Sequence, residues 1–569
     1  MPIIKIRLIG PIGLMSLAAF FTGIASMANQ KPAAPQWTPK LVLTLVIDQF
    51  RADTLMRFNS RFAPARDKTG KLGGFHFLTE EGAYVPYASY EILQSMTGPG
   101  HATILTGSYP YRNGIAANYW YDSKTEQSVY CVDDSSQSLV GIENSEKIHS
   151  GTSPKNLFGT TLGDEMKNAG YPSRVVSIAI KDRSAILMGG FRADATLWFE
   201  PKNFKWVSST FYFPNKKLPD WVTQMNQSLE KKKNTELTWM LSPISEMSGF
   251  SSEKSMALTD EYNAGKIGGT GFPHKVAHGT KNALLLPFGI DMTEELAEKA
   301  IEGLKLGTSK TPDLLAVSFS THDYLAHAFG PNSQEIEEMT IAEDRALSRL
   351  FNFLNRHVPG GIENVLIALT ADHGGPNSPE YLTSVKVPSG RIDEEKIQAD
   401  LEKLLITKFG APKGTKNWII GDDDLQLYLS AKAIETSSHS KLEIETFGKE
   451  YLKNIHGVAR VITSSEIESG LFPPALLGSQ VAKTAYTQRM GNWIMIPQPY
   501  FIGAGDTTQH LTGYAYDRMV PLILRGKGIK PGKFAINAHV VDLAPTLAWF
   551  VHSLPPAACE GRILNEIIK

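Results

Sequence analysis

Four short runs constrain this chain more than any other feature: Leu41–Ile47 (LVLTLVI), Arg174–Ile180 (RVVSIAI), Leu314–Phe319 (LLAVSF) and Val365–Thr370 (VLIALT). Each is nearly continuous in apolar and β-branched residues. A strand with one wet face alternates, so unbroken runs of this length predict strands buried on both faces. Only a mostly parallel sheet covered by helices on each side supplies that environment, and the fold class expected is α/β. With 42% hydrophobic and 20% charged residues, the 569-residue chain has the material for a large core. Length alone suggests roughly three or four domains, but large α/β enzymes often lengthen by insertion. Two stretches read as such insertions. The first, at about 195–311, is tryptophan- and lysine-rich with little strand period, and the second, at about 381–500, reads as a mixed α/β excursion beginning at VKVPSG. The expected organisation is one catalytic domain over 41–569, with the two insertions capping its site.

The N-terminus reads as an address. Lys5 and Arg7 precede an apolar run, Leu8 to Ile24, and Ser26-Met27-Ala28 offers the small residues a signal peptidase recognises. Residues 1–28 are expected to be a signal peptide and 29–40 a proline-bearing linker. The apolar run is short for a membrane span and is broken by Gly10, Pro11 and Gly13, which argues against an uncleaved anchor, and no other long apolar stretch follows, so no stable membrane insertion is expected after cleavage. The expected location is periplasmic or secreted. Cys131 and Cys559, the two cysteines, permit a single disulfide and exclude a cysteine zinc cluster. A formal net charge of -1 gives no electrostatic case for nucleic acid. Nothing in the sequence specifies an oligomeric state.

Every apolar run delivers polar residues at its end, where open α/β sheets place their ligands. Leu41–Ile47 leads into Asp48, Arg174–Ile180 into Lys181 and Arg183, Leu314–Phe319 into Asp323 and His327, and Val365–Thr370 into Asp372-His373-Gly374. A Gly-flanked T-T-Q-H adds His510. Asp323 and His327, four apart, face the same way on a helical turn, as two ligands of one cation must. Carboxylate with imidazole suits zinc better than calcium or magnesium. Asp48, Asp323, His327, Asp372, His373 and His510 make six ligands, three per ion for two ions, which leaves open positions for attacking and leaving oxygens.

The stretch Ser95–Gly107 (SMTGPGHATILTG) sets one hydroxyl, Thr97, before a Gly-Pro-Gly turn and the expected helix opening at His101–Leu105. Free N–H groups and the helix dipole favour negative charge there. A threonine in such a place is more often a helix cap than a catalyst, and the ligand set downstream is what argues for chemistry.

These motifs, with LVIDQFRAD at Leu45, AANYWYD, IAIKDRS, STHDYLAHAFGP, TADHGG, TTQHLTGYAYDRMVPLILRGKGIKPG and VVDLAPTLA, resemble in their order the alkaline phosphatase superfamily. Within it they resemble the exported bacterial phosphate-irrepressible alkaline phosphatases, which have a threonine nucleophile. The resemblance implies an alkaline phosphatase-like fold and two zinc ions. Asp323, His327 and His510 would hold one ion, and Asp48, Asp372 and His373 the other, with Thr97 completing its shell. It also implies attack by Thr97 on small-molecule phosphate monoesters through a phosphothreonine, with Asn118, Lys181 and Arg183 holding the phosphoryl oxygens. His101 is expected to make a structural hydrogen bond inside its turn. Sulfatases share the ligand logic but need a C/S-x-P-x-R setting that Thr97-Gly98-Pro99-Gly100 lacks. Nucleotide pyrophosphatases and phosphodiesterases remain an alternative, as does an exported binding protein without catalysis.

Overall fold

A computed structural model of the chain describes residues 37–143, 151–242 and 271–569. The expected signal peptide and most of the linker lie outside the described residues. The strand-forming runs assemble into one ten-stranded sheet. In chain order its members are β1 (Leu41–Ile47), β2 (Ala83–Ser89), β3 (Leu139–Val140), β4 (Val175–Ala179), β5 (Ala195–Glu200), β6 (Lys205–Ser209), β7 (Asp313–Phe319), β8 (Val365–Thr370), β9 (Met519–Arg525) and β10 (Gly532–Lys533). Their spatial order is β10-β2-β9-β8-β1-β7-β4-β5-β6-β3. The centre, from β8 through β1, β7 and β4 to β5, is parallel. Antiparallel pairs flank it on both sides. Every residue of β1, β4, β7 and β8 is buried, which is why their sequences carry no alternation.

Register positions the site. β1 pairs with β8 from Leu41↔Val365 to Val46↔Thr370, so Asp48 and Asp372 each stand two residues past the last pair. β7 pairs with β4 up to Ser318↔Ala179, which sends Ser320 and Lys181 out at the same edge. Three helices start there: α1 (Thr97–Thr106), α2 (Asp182–Gly189) and α3 (Thr321–Phe329). The long α4 (Gln334–His357), capped by the Ser333 side chain on the Ile336 N–H, follows α3. α1 is buried along its whole length and passes close to the end of β8. A Cβ on Gly100 would lie 2.4 Å from the Asp372 carbonyl oxygen and 2.7 Å from its Cβ. Gly100→Ala therefore forces α1 and Asp372 apart, at an expected cost of about 1–3 kcal/mol, typical of overpacking. A lower denaturant midpoint with an unchanged m-value is the expected reading, and an unshifted midpoint would contradict the close approach.

The stretch at about 195–311 differs from its sequence reading. It opens with β5 and β6, which extend the central sheet, and its helix Phe288–Leu304 packs on β4 and β7. Both strands are buried on both faces, so they show no alternation, and their mixed ATLWFE and KWVSS sequences lack the continuous apolar run that marks β1 and β8. The stretch at about 381–500 carries a four-stranded antiparallel sheet, in the order Ile419–Asp423, Gln426–Leu429, Trp493–Pro497, Val458–Thr463. Helices Glu394–Phe409 and Lys441–Leu452 close a separate core around Trp418 and Trp493. Buried amides tie this subdomain to the loop before α1. Gln94 Nε2 donates to the Asp424 carbonyl (2.7 Å), Gln426 Nε2 donates to Gln94 Oε1 (2.9 Å), and the Gly491 N–H donates to Gln426 Oε1 (2.8 Å). Cys131 and Cys559 are both free thiols.

Candidate active site

The helix begins earlier than its sequence suggests. Met96, in extended conformation, is the N-cap residue, and Thr97 is the first helical residue, with Gly-Pro-Gly inside the first turn. Pro99 is tolerated there because first-turn N–H groups have no partner within the helix. The Thr97 hydroxyl caps nothing. It is buried, and two cations converge on it: Lys181 Nζ at 3.3 Å and Arg183 Nη2 at 3.3 Å. Of the two, Lys181 is extended. Arg183 already lies in the first turn of α2, so the strand-to-helix corner aims the pair. Asn118 reaches the same place from the loop before Tyr119–Asp122. Its Oδ1 accepts from the Gly98 N–H at 2.8 Å, while its Nδ2 has no hydrogen-bond partner among the described residues.

Beside Thr97 lies a buried cluster of carboxylates and imidazoles. Among the described residues, ligand atoms within 4.8 Å of one another form three overlapping groups: Asp323, His327 and His510; Asp48, Asp323 and His373; and Asp48, His101 and Asp372. The first matches one expected set. Asp48, Asp372 and His373 meet through His373 Nε2, 3.5 Å from Asp48 Oδ1 and 3.4 Å from Asp372 Oδ2. The three expected ligand histidines are oriented alike. Nδ1 of His327 donates to the Thr508 carbonyl (2.8 Å), Nδ1 of His373 to that of Gly374 (2.9 Å), and Nδ1 of His510 to that of Ser95 (2.6 Å). This arrangement turns each Nε2 inward, as in metal-binding histidines whose other ring nitrogen is held by a carbonyl.

The donor set fits cations. Asp48 Oδ1, Asp323 Oδ1, Asp372 Oδ2 and His373 Nε2 are buried without a hydrogen-bond partner among the described residues, and unmet buried acceptors are costly unless something occupies them. Lys181 Nζ bridges two of the carboxylates, Asp48 Oδ2 at 2.7 Å and Asp323 Oδ2 at 2.5 Å, but one ammonium does not neutralise three. Burial, reinforced by Asp323 and Asp372, pushes the Asp48 carboxyl well above the usual carboxylate range. Burial opposes ionisation of Asp323 too, yet Lys181, His327 and His510 hold it well below that range. Burial, with His373 and His327 nearby, keeps His510 neutral. Burial likewise lowers His373. Neutral imidazoles and crowded carboxylates are the form that a divalent metal takes up.

Comparison with known proteins agrees with this chemistry. The model of the type I phosphodiesterase / nucleotide pyrophosphatase family matches residues 42–400. Alkaline phosphatase PhoV of Synechococcus elongatus is 32% identical over 98% of this chain and 99% of its own. Alkaline phosphatase PafA of Elizabethkingia meningoseptica is 32% identical over 95% and 96%. The chain belongs to the alkaline phosphatase superfamily. The crystal structure of wild-type PafA matches this phosphatase with a TM-score of 0.84 at 30% identity, covering 95% of this chain and 100% of that one. A PafA variant with a threonine changed to serine, and an asparagine, a lysine and an arginine changed to alanine, matches at 0.83. Another relative, from Myroides odoratus and also 32% identical, bears the name calcium-transporting ATPase. Among the described residues of this phosphatase, no helix is long and apolar enough to cross a membrane.

Several residues around the site gave no signal in the sequence. Tyr130 OH donates to Asp182 Oδ1 (2.5 Å) and accepts from Arg183 Nη1 (3.3 Å), and Lys181 Nζ sits 5.2 Å from the centre of the Tyr324 ring. His101 makes the expected turn bond, Nδ1 to the Thr97 carbonyl at 2.9 Å. The same nitrogen lies 3.1 Å from Asp372 Oδ2, and Nε2 pairs with Ser318 Oγ at 2.8 Å. Only a tyrosine-rich hairpin, Tyr119–Asp122 with Gln127–Tyr130, hinted at Tyr130.

Proposed function

We propose that this phosphatase hydrolyses phosphate monoesters by in-line attack of the Thr97 oxygen on phosphorus. Asp323, His327 and His510 would hold one of two zinc ions, and Asp48, Asp372 and His373 the other. The observation that carries the reading is the convergence of Lys181 and Arg183 on a buried, uncapped Thr97 hydroxyl beside acceptors left without partners. Bound zinc supplies Lewis-acid charge that acidifies a neighbouring hydroxyl and offsets the charge of the phosphoryl group. The Thr97–phosphorus bond forms as the ester bond breaks and the alcohol departs, and water then cleaves the phosphothreonine. Asn118 Nδ2, Lys181 and Arg183 bind the remaining phosphoryl oxygens. In the PafA variant the substituted threonine and asparagine are 21 residues apart and the lysine and arginine two apart. Thr97 and Asn118, and Lys181 and Arg183, have the same separations here, which supports treating them as one functional set. Residues 1–28 would direct export to the periplasm or beyond.

Lys181 and Arg183 also set the preference for monoesters. A monoester dianion offers them two negative oxygens, whereas a diester blocks one with an alkyl group. A desolvated, charge-assisted contact contributes on the order of 1.5–3 kcal/mol, roughly ten- to a hundredfold each. Lys181→Ala with Arg183→Ala should therefore lower kcat/KM for an aryl phosphate far more than for its methyl diester. Equal losses, or a wild type that favours the diester, would replace this reading with the phosphodiesterase one.

A further inference from the structure

Lys181 and Arg183 line one end of a cavity of about 490 Å³ that extends well past the phosphoryl site. Its lining also includes Leu284, Tyr324 and Phe329, together with the exposed Lys281 and the half-buried Asn282. The wall is fixed in place. The turn Lys281–Leu285 packs on α3, the helix that bears Asp323 and His327, and Leu284 and Phe329 are 3% and 4% exposed. Gly289, just beyond that turn, meets the start of α3 so closely that a Cβ would lie 2.2 Å from Thr321 Oγ1. Lys281 is exposed and makes no hydrogen bond or ion pair with any described residue. Two carboxylates also line the cavity, and both are engaged: Asp323 pairs with Lys181 at the metal-ligand cluster, and Asp506 Oδ2 accepts from Gln509 Nε2 at 3.2 Å and lies 3.7 Å from His327 Nδ1.

The cavity thus combines two cations beside Thr97, an apolar and aromatic lining, and an exposed ammonium without a partner among the described residues. We propose that it is the leaving-group site, and that it selects phosphate monoesters of aromatic alcohols bearing an anionic group on the far side of the ring. This rests on the monoesterase reading above. A flat ring buries its faces against Leu284, Tyr324 and Phe329. A carboxylate opposite the ester oxygen then meets Lys281, which pairs with it without first giving up another partner. A small polyol such as glycerol leaves the apolar wall bare and does not reach Lys281.

The test compares kcat/KM for 4-carboxyphenyl phosphate and phenyl phosphate in the full-length protein and in Lys281→Ala, so that the intrinsic reactivity of each ester cancels. Lys281→Ala should lower the carboxylated ester about fivefold more than phenyl phosphate, the scale of a solvent-accessible ion pair. Lys281→Glu should reverse the order, favouring 4-(trimethylammonio)phenyl phosphate over the carboxylated ester. Parallel changes for charged and uncharged rings would overturn the leaving-group assignment while leaving the monoesterase reading intact. A wild type that hydrolyses none of these esters would overturn the monoesterase reading, and this proposal with it.

Discussion

Thr97→Ala is expected to abolish turnover, by about 10⁴-fold or more, while leaving the fold and the bound metal in place. The substitution removes the attacking oxygen but none of the six expected carboxylate and imidazole ligands. It breaks no cap, because the N-cap residue is Met96 and the Thr97 hydroxyl makes no capping bond. The backbone contact of Thr97 with His101 is also retained, since that bond uses the Thr97 carbonyl. Thr97→Ser keeps a hydroxyl at the convergence of Lys181 and Arg183 and should keep a measurable fraction of the activity. Burst kinetics and acid-quench mass spectrometry of the wild type should place phosphate on Thr97. Phosphate on any other side chain, or a Thr97→Ala enzyme with wild-type turnover, would show that another group attacks.

Removal of metal should have a comparable effect. Purified protein is expected to carry about two zinc ions per chain and to lose activity in chelator, with recovery on adding zinc. The melting temperature should fall as well, because ions that bind only the folded state stabilise it by mass action. Asp48 and Asp323 would then share the Lys181 ammonium, with Asp48 already pushed toward its neutral form by burial and by Asp323 and Asp372. His510→Ala should reduce the zinc content by about one ion, since His510 belongs to only one of the three ligand groups. Full activity in protein shown by elemental analysis to be metal-free would end the proposed mechanism, and unchanged zinc content in His510→Ala would remove that residue from the ligand set.

Much of this was legible in the sequence because the fold is built from strands buried on both faces. β1 and β8 coincide with their apolar runs, and their register places Asp48 and Asp372 side by side. Asp323 and His327 were legible for a similar reason, since a spacing of four needs only one helical turn to become a contact, here 3.2 Å between His327 Nε2 and Asp323 Oδ1. The rest depends on corners and on partners distant in sequence. Periodicity says nothing about where a helix starts within a few residues, so the corner at Lys181 and Arg183 and the early start of α1 at Thr97 were hidden. The approach of His101 to Asp372 arises from α1 crossing the end of β8 over Gly100, and the link from Tyr130 to Arg183 arises from a hairpin folding back. Both are tertiary events without a local pattern.

The amide chain from Gln94 through Gln426 to Gly491 limits how this enzyme can move. Swinging the four-stranded subdomain outward would strip buried hydrogen bonds from the segment that leads into Thr97, so the proposed nucleophile would lose its position at the moment the site opened. These bonds brace the subdomain against the segment before α1. Traffic is left to the rim formed by Lys281 and Asn282, where an alcohol can depart and water can enter without any large rearrangement. A site braced this way is expected to hold its geometry between turnovers rather than reassemble it at each one.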